Sequence, residues 1–475
     1  MKHDNQLRKS LKSQWALIGA VLLALGSSMA WAEGLPEGGD AVSDDGSITD
    51  VYYENDTHAR GDDDTGSAVG LSKFRNTMQV EADRRLGNGW EFHGVFRGTY
   101  DGVYDLNKGE YGNNAGGQIN LQHTLGSNLV SVPYGAGLGP STPVAPGVTL
   151  GMAFPNNKFV DSYPNSPNEG LRVLGDRWHG IDGGVAFGVP VRPCNKDSRG
   201  CKDFGGYGDL SKSKLALPEF NERLDFIREA YVKKTFELAD NKQLFLKVGR
   251  QQVVWGRTDL FRVLDVINPV DYSRNNIYDE LQDIRIPMFI AQGEYRMGGS
   301  DWLQERNLQV VWNFDKFRPN NLGQCGTANV ILDAGCLFRG LNNLWENGGT
   351  VANFANVAPN TLLATNFGPH QIGLNKVDLP NWSLENTQLG AKFEGVTKGG
   401  VNFSLNALTY RSQLPSLHGG KSSVNGFTGV NKEYNPYLIS FDMVYPRVNL
   451  VGGSMDFQWD AAKSAVRMEA AYTSG

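Results

Sequence analysis

Apolar and polar side chains alternate along most of this chain, in a series of separate segments. In the clearest one, residues 90–104, Trp90, Phe96 and Tyr100 share one phase, and charged or polar side chains fill most of the other. Successive side chains of a β-strand point to opposite faces, so the alternation predicts a strand with one apolar and one polar face. At about 3.3 Å per residue and a tilt of about 40°, the span from Trp90 to Tyr100 covers roughly 25 Å, the height of an outer-membrane apolar band.

Ten further segments show the same alternation, some of them weakly, so the sequence predicts eleven strands. These segments are residues 47–54, 73–84, 224–236, 243–252, 287–296, 307–317, 387–396, 401–410, 449–459 and 465–473.

The connections between these segments alternate between short and long. The short ones lie near residues 87–89, 239–242, 297–306, 397–400 and 460–463. The long ones lie near residues 55–70, 105–223, 253–285, 318–386 and 412–447. Outer-membrane barrels have short periplasmic turns and long extracellular loops, whereas a soluble β-sandwich has no reason to place its long loops at one end. The sequence therefore predicts an all-β antiparallel transmembrane β-barrel over residues 47–475, with large loop insertions at 105–223 and 318–386.

The N-terminus has the features of a secretory signal. Basic residues precede an apolar stretch at residues 15–25, which is too short to span a membrane, and Ala30-Trp31-Ala32 forms a small-x-small cleavage motif. We therefore expect residues 1–32 to be a cleaved signal peptide and residues 33–46 a periplasmic N-terminal segment. The expected localisation is the cell outer membrane, with outer-membrane lipid as a partner.

Composition supports a barrel over other membrane or nucleic-acid-binding classes. Charged residues make up 20% of the chain and the mean hydropathy is −0.37, which is too polar for a helical membrane protein. The formal net charge of −6 makes nucleic acid an unsuitable partner.

An odd strand number leaves the predicted barrel incomplete. Bacterial single-chain barrels have an even number of strands and close by pairing the last strand with the first. We interpret the sequence as a C-terminally truncated piece of a longer protein, with an exposed edge at residues 465–473, and expect it to insert unstably as written.

The polar phase of the strands supplies the candidate lumen residues. These are Arg75, Gln79, Glu81, Glu91, His93, Arg97 and Lys392. The long connection 253–285 carries many charges of both signs. It could fold into the lumen and narrow it, with Arg250 and Arg257 near the constriction. The alternative is a solvated surface loop with local ion pairs.

The same region carries a family resemblance. Gly249-Arg250-Gln251, Trp255-Gly256, Val266-Ile267-Asn268-Pro269, Asp271 and Arg285-Ile286-Pro287 resemble the domain-of-unknown-function 1302 family of Gram-negative bacteria. The resemblance is most specific over residues 221–317. It implies an outer-membrane protein, often encoded near transport machinery, and hence possible periplasmic transport partners. It supplies no catalytic residues.

Motifs for catalysis are absent from the sequence. It contains no Gly-x-Ser-x-Gly nucleophile elbow and no His-Glu-x-x-His motif, so we expect no enzyme, no cofactor and no metal site. The favoured interpretation is a porin-like channel or transport-associated barrel for a small or amphipathic molecule, with a hydrophobic substrate as one case. One alternative is a structural or adhesive barrel that binds a partner through its loops. Another is a barrel enzyme that acts on lipid.

The four cysteines form two close pairs in long loops, and an exported chain meets an oxidising compartment. We predict Cys194–Cys201 and Cys325–Cys336 disulfides, each stabilising its short loop by about 2–3 kcal/mol in the chain-entropy model. Alkylation and mass spectrometry of protein from the native membrane test this; free thiols at these positions would contradict it.

Overall fold

The computed structural model describes part of the chain. The described residues are 41–42, 47–62, 68–108, 111–112, 136–137, 139–140, 142–145, 148–153, 171–174, 185–190, 211–258, 263–274, 279, 281–323, 327–328, 334–347, 349–355, 362–367, 370, 372–420 and 440–475.

Eleven long strands form one antiparallel sheet in which each strand pairs with the next along the chain. They are β1 (Ile48–Asp62), β2 (Ala68–Gly87), β3 (Trp90–Asp101), β4 (Ile227–Glu237), β5 (Gln243–Gln251), β6 (Met288–Arg296), β7 (Leu303–Asn313), β8 (Gln388–Thr397), β9 (Asn402–Arg411), β10 (Arg447–Trp459) and β11 (Ser464–Ser474). All eleven predicted strands are therefore present, in the predicted order.

The five short connections all lie at one end of this sheet, as predicted. The first predicted long loop, residues 55–70, is wrong. β1 continues to Asp62 and β2 begins at Ala68, with Asn55 paired to Asn76 and Thr57 to Phe74. In this part of β1 polar side chains occupy both phases, and Asn55 Nδ2 donates to Asn76 Oδ1 over 3.0 Å. A strand with polar side chains in both phases has no hydrophobic period to reveal it.

The long insertions contain their own β-structure, which the hydrophobic pattern did not predict. Strands of both insertions pair into one six-stranded sheet, in the order Thr142–Ala145, Val148–Ala153, Leu362–Phe367, Gly349–Ala355, Val185–Pro190 and Leu171–Leu174. A three-stranded sheet has the order Gly373–Asp378, Ser440–Val444 and Ser416–Gly420. The remaining elements are the two-residue strands Ala41–Val42, Ala136–Gly137 and Gly139–Pro140, the helices Val103–Leu106, Lys212–Ala216, Leu281–Ile284 and Ala334–Asn347, and the 3-10 turns Ala239–Asn241, Leu384–Asn386 and Asp460–Ala462.

The two faces of the main sheet differ in chemistry. One face exposes large apolar side chains, including Leu405 (61% exposed), Val451 (63%) and Tyr472 (73%). The ladder registers place polar and charged side chains on the other face, for example Gln79 opposite Arg97 and Gln309 opposite Lys392. The alternation in the sequence thus becomes one apolar surface and one largely polar surface.

Within the described residues, the sheet order ends at β11, whose strand partner is β10. The sheet is therefore not closed, and the prediction of an all-β antiparallel architecture, incomplete as a barrel and with long loops at one end, is confirmed. Among the helices in the described part of the chain, none is long and apolar enough to cross a membrane.

Candidate functional site

The candidate site is built around the connection between β5 and β6, residues 252–287, which we call the inner loop. Asn268 closes its base. The backbone N–H of Val253 donates to Asn268 Oδ1 over 2.8 Å, and Asn268 Nδ2 donates to the carbonyls of Gln251 (3.2 Å) and Ile286 (3.0 Å). The backbone N–H of Ile286 also donates to the Pro269 carbonyl over 2.7 Å. One buried side chain therefore joins both ends of the inner loop.

A second set of bonds shapes the interior of the inner loop. Asp265 accepts from the backbone N–H of Trp255 over 2.9 Å and forms an ion pair with Arg285. Arg274 binds Asp271 (3.0 Å) and Glu219 (3.1 Å). Burial disfavours the charged form of Arg274, but the two carboxylates outweigh it and raise its pKa above the ordinary value.

Apolar side chains anchor the inner loop to the sheet. Trp255 and Leu264 are almost fully buried, in a cluster with inward side chains of β6, β7, β9 and β10, among them Ile290. The Trp255 indole N–H also donates to Gln309 Oε1 over 2.6 Å. A Cβ at Gly390 on β8 would lie 2.6 Å from Trp255 Cη2. Glycine at 390 therefore leaves the space that the indole ring occupies.

Toward β11, the inner loop binds three acidic residues of the polar face. The Arg257 guanidinium lies 2.7 Å from Glu394 on β8 and 2.6 Å from Asp456 on β10. Glu469 on β11 accepts from the backbone N–H groups of Arg257 and of Thr258, the latter over 2.8 Å. Burial opposes the charged form of Arg257, yet its two carboxylate partners hold its pKa above the ordinary value.

Toward β1, the charges are reversed, with acidic residues on the inner loop and basic residues on the strands. Asp279 lies 2.7 Å from Lys73 Nζ and 3.4 Å from Arg75 Nη1, both on β2. Asp283 lies 2.5 Å from Arg97 Nη1 on β3. The inner loop thus contacts the polar face of the sheet through ion pairs of both polarities from β2 to β10, and through hydrogen bonds from its backbone to Glu469 on β11.

The structure brings several of the predicted lumen residues to the inner loop or its immediate partners. Arg75 and Arg97 bind the loop directly, and Arg97 Nε also donates to Gln79 over 2.7 Å. Lys392 lies 2.9 Å from Glu394, the partner of Arg257.

Three other predicted residues lie closer to the short turns. His93 Nδ1 lies 3.0 Å from Asp83, while its Nε2 faces Glu81 (4.0 Å) and Glu229 (3.8 Å). Glu81, Asp83 and His93 have potential metal-ligand atoms within 4.8 Å of one another. Glu91 forms an ion pair with Lys233 over 3.3 Å.

Arg250 lies in a different place from the one expected. It pairs in the ladders with Ala230 and Phe289, which belong to the apolar phase, and it is buried near the long-loop end. Its guanidinium lies 2.6 Å from Asp225, which also binds Arg318 over 2.5 Å. Burial disfavours the Asp225 carboxylate, but these arginines lower its pKa well below the usual range. Arg250 therefore joins a strand to neighbouring long loops.

Asn268, Glu394, Asp456 and Glu469 were not predicted as site residues, although Asn268 is part of the family motif. The three acidic residues share the polar phase of their strands, so their face was predictable, but their common partner 137 to 212 residues away in sequence was not. Of the predicted disulfide cysteines, Cys194, Cys201 and Cys325 lie outside the described residues, and Cys336 lies in the helix Ala334–Asn347, where its side chain is not described. The disulfides stay a prediction.

Comparison with known proteins decides the family. The family model described as "Protein of unknown function (DUF1302)" matches residues 21–475. The chain belongs to the domain-of-unknown-function 1302 family. The resemblance stated from the inner-loop motifs is therefore confirmed.

Similarity to individual proteins is low. A flagellar L-ring protein of Wolinella succinogenes is 24% identical over 135 residues, which cover 27% of this chain and 57% of that protein. The structure of OmpF from Salmonella typhi in complex with daunomycin has 8% identity and a TM-score of 0.16, over 91% of this chain and 99% of the other. An anion-selective porin from Comamonas acidovorans has 8% identity and a TM-score of 0.14, over 90% and 83% of the two chains.

The contact between Gly390 and Trp255 generates a test of the loop anchor. In Gly390→Ala the new methyl group overlaps the indole ring, so we expect a destabilisation of about 1–3 kcal/mol, typical of overpacking. Unfolding by denaturant, followed by tryptophan fluorescence, measures it. Limited proteolysis should cut the inner loop faster in the variant.

Gly399→Ala is the matched control. Gly399 lies in an exposed short turn, where the nearest atom to an added Cβ is Thr397 Oγ1 at 3.9 Å. A change within about 0.5 kcal/mol is expected there. Equal effects of the two substitutions would contradict the anchoring role of Trp255.

Proposed function

We propose that this chain is an outer-membrane barrel protein in which the inner loop narrows the lumen, and that it passes or binds a small or amphipathic molecule. The observation that carries the proposal is the path of the inner loop over the polar face from β2 to β11. A loop held on the inward face restricts what can move past it, as charged constrictions do in channels.

The opposite face supports a membrane location. Large apolar side chains are exposed there on many strands, and soluble proteins rarely expose contiguous apolar patches of such extent. A transmembrane strand alternates lipid-facing and lumen-facing residues in the same way. The five short turns at one end would then be periplasmic, and the long loops extracellular.

The rest of the proposal follows from the sequence. Residues 1–32 act as a cleaved signal peptide, and periplasmic transport proteins are candidate partners. We assign no catalytic step to this chain. The accessory sheet formed by both long insertions favours adhesion through the loops as a second candidate, since its strands extend the long-loop end.

Lipid exposure of the apolar face is testable at Leu405, near the middle of β9. Leu405→Arg would place a charge in the bilayer at a cost of about 2–4 kcal/mol. We expect much less protein in the outer-membrane fraction. Leu384→Arg is the matched control, because Leu384 is 69% exposed in the turn Leu384–Asn386, outside the strands. Recovery of both variants at wild-type levels would argue against lipid contact.

The constriction is testable at Arg257. Arg257→Gln removes one positive charge and the ion pairs to Glu394 and Asp456. We expect larger conductance in planar bilayers and a reversal potential shifted toward cation selectivity. Lys398→Gln removes the same charge from an exposed short turn and should leave both quantities unchanged. Unaltered conductance and selectivity in Arg257→Gln would exclude the inner loop from the conduction path.

A further inference from the structure

A cavity of about 640 Å³ lies between the polar face of the sheet and the beginning of the inner loop. Inward residues of β3 to β7 form its walls, on the half of the sheet nearer the short turns. Gln252, Val253 and Val254 close it at the loop end. Its volume falls within the range of about 300–1,000 Å³ typical of small-molecule sites.

The cavity wall carries an excess of positive charge. Lys233, Lys247 and Arg296 line it from the polar face, whereas Glu91 is its acidic lining residue. Lys234 borders the cavity at the short-turn end, but it belongs to the other phase of β4 and its Nζ lies 4.7 Å from the Phe236 ring centroid. Glu91 forms an ion pair with Lys233, and Arg296 binds Glu294 over 2.8 Å. Lys247 Nζ instead lies 3.7 Å from the centroid of the Tyr231 ring. A net positive lining attracts a ligand with a negative group.

Apolar and aromatic surface lies beside these cations. Tyr231, Phe245 and two valines of the inner loop line the same cavity. The Arg296 guanidinium lies 5.5 Å from the Phe245 ring centroid, so a charged group and an aromatic surface are adjacent. The lining is mainly polar, and these rings and valines form its apolar part. Cations beside an aromatic surface suit a molecule that carries both a charged group and an apolar body.

The inner loop fixes the shape of the cavity. Gln309, a lining residue, accepts from the buried Trp255 indole N–H. The same tryptophan anchors the loop to the sheet, so the cavity roof and the lumen constriction belong to one packed unit. The ligand site therefore lies directly on the short-turn side of the constriction.

We propose that this cavity binds an amphipathic anion, with its carboxylate or similar head group at Lys233 and Lys247 and its apolar body against Tyr231 and Phe245. The proposal rests on the proposed function, for which it names the class of molecule. Binding is measured separately from conductance, so one can fail without the other.

Three soluble probes separate head group from apolar body: octanoate, acetate and octanol. Titration calorimetry with the purified chain in a non-ionic detergent, corrected against empty micelles, measures each affinity. We expect octanoate to bind at least about tenfold more tightly than acetate or octanol, since only octanoate uses both parts of the site.

Lysine variants test which side chains bind the negative head group of octanoate. Lys247→Gln and Lys233→Gln should each weaken octanoate binding about tenfold, the usual scale for a lost charge-assisted contact, and leave octanol binding unchanged. Lys247→Arg keeps the charge and should retain binding, and it controls for folding. Lys398→Gln, in an exposed turn, should bind like the wild type.

Several outcomes would overturn the inference. Octanol binding as tightly as octanoate would mean an apolar site without head-group recognition, and acetate binding as tightly would mean a simple anion site. Octanoate affinity unchanged in both lysine variants would place the ligand elsewhere. A further outcome separates the two proposals instead: octanoate binding by a protein that forms no channel would refute the channel and support the cavity assignment.

Discussion

The two-residue period of the paired strands is the constraint on which the rest of the structure depends. Each ladder keeps its register over several residues, so side chains of neighbouring strands that share a phase lie side by side. Ser404, Ser454 and Glu469 line up across three strands in this way. A slip of one residue in any ladder would exchange the apolar and polar faces of that strand.

The inner loop depends on this alignment. Its cation Arg257 requires Glu394 and Asp456 on the same face, and its backbone amides require Glu469 beside them. At the other side, Asp279 and Asp283 meet basic side chains of β2 and β3. Charged groups withdrawn from water are stabilised only when partners compensate them, so the matched polarities fix where the loop lies. The cavity beneath the loop is a consequence of that fixed position.

The sequence predicts the features that depend on the alternation of apolar and polar side chains along a strand. It does not predict the features that depend on contacts between residues far apart in the chain. All eleven main strands have at least a partly apolar phase, and all were predicted. The extension of β1 past Asn55 was missed because both phases of that strand are polar there. Strands within the two large insertions were missed for lack of clear alternation. The loop was recognisable from its charges, but residues such as Asp456 reveal their partner only in three dimensions. Arg250 belongs to a family motif, yet it lies in the apolar phase of β5 and joins that strand to long loops, a position that the motif did not reveal.

The contact between Glu469 and the inner loop has a consequence for dynamics. Among the residues that the structure describes, β11 has one strand ladder, with β10. Such an edge ordinarily frays first and exchanges its amide hydrogens fastest. Here an inward carboxylate of that strand accepts from the amides of Arg257 and Thr258. Fraying of the strand would break these bonds, and release of the loop would remove a support from the strand. The edge of the sheet and the roof of the cavity thus form one cooperative unit of local unfolding.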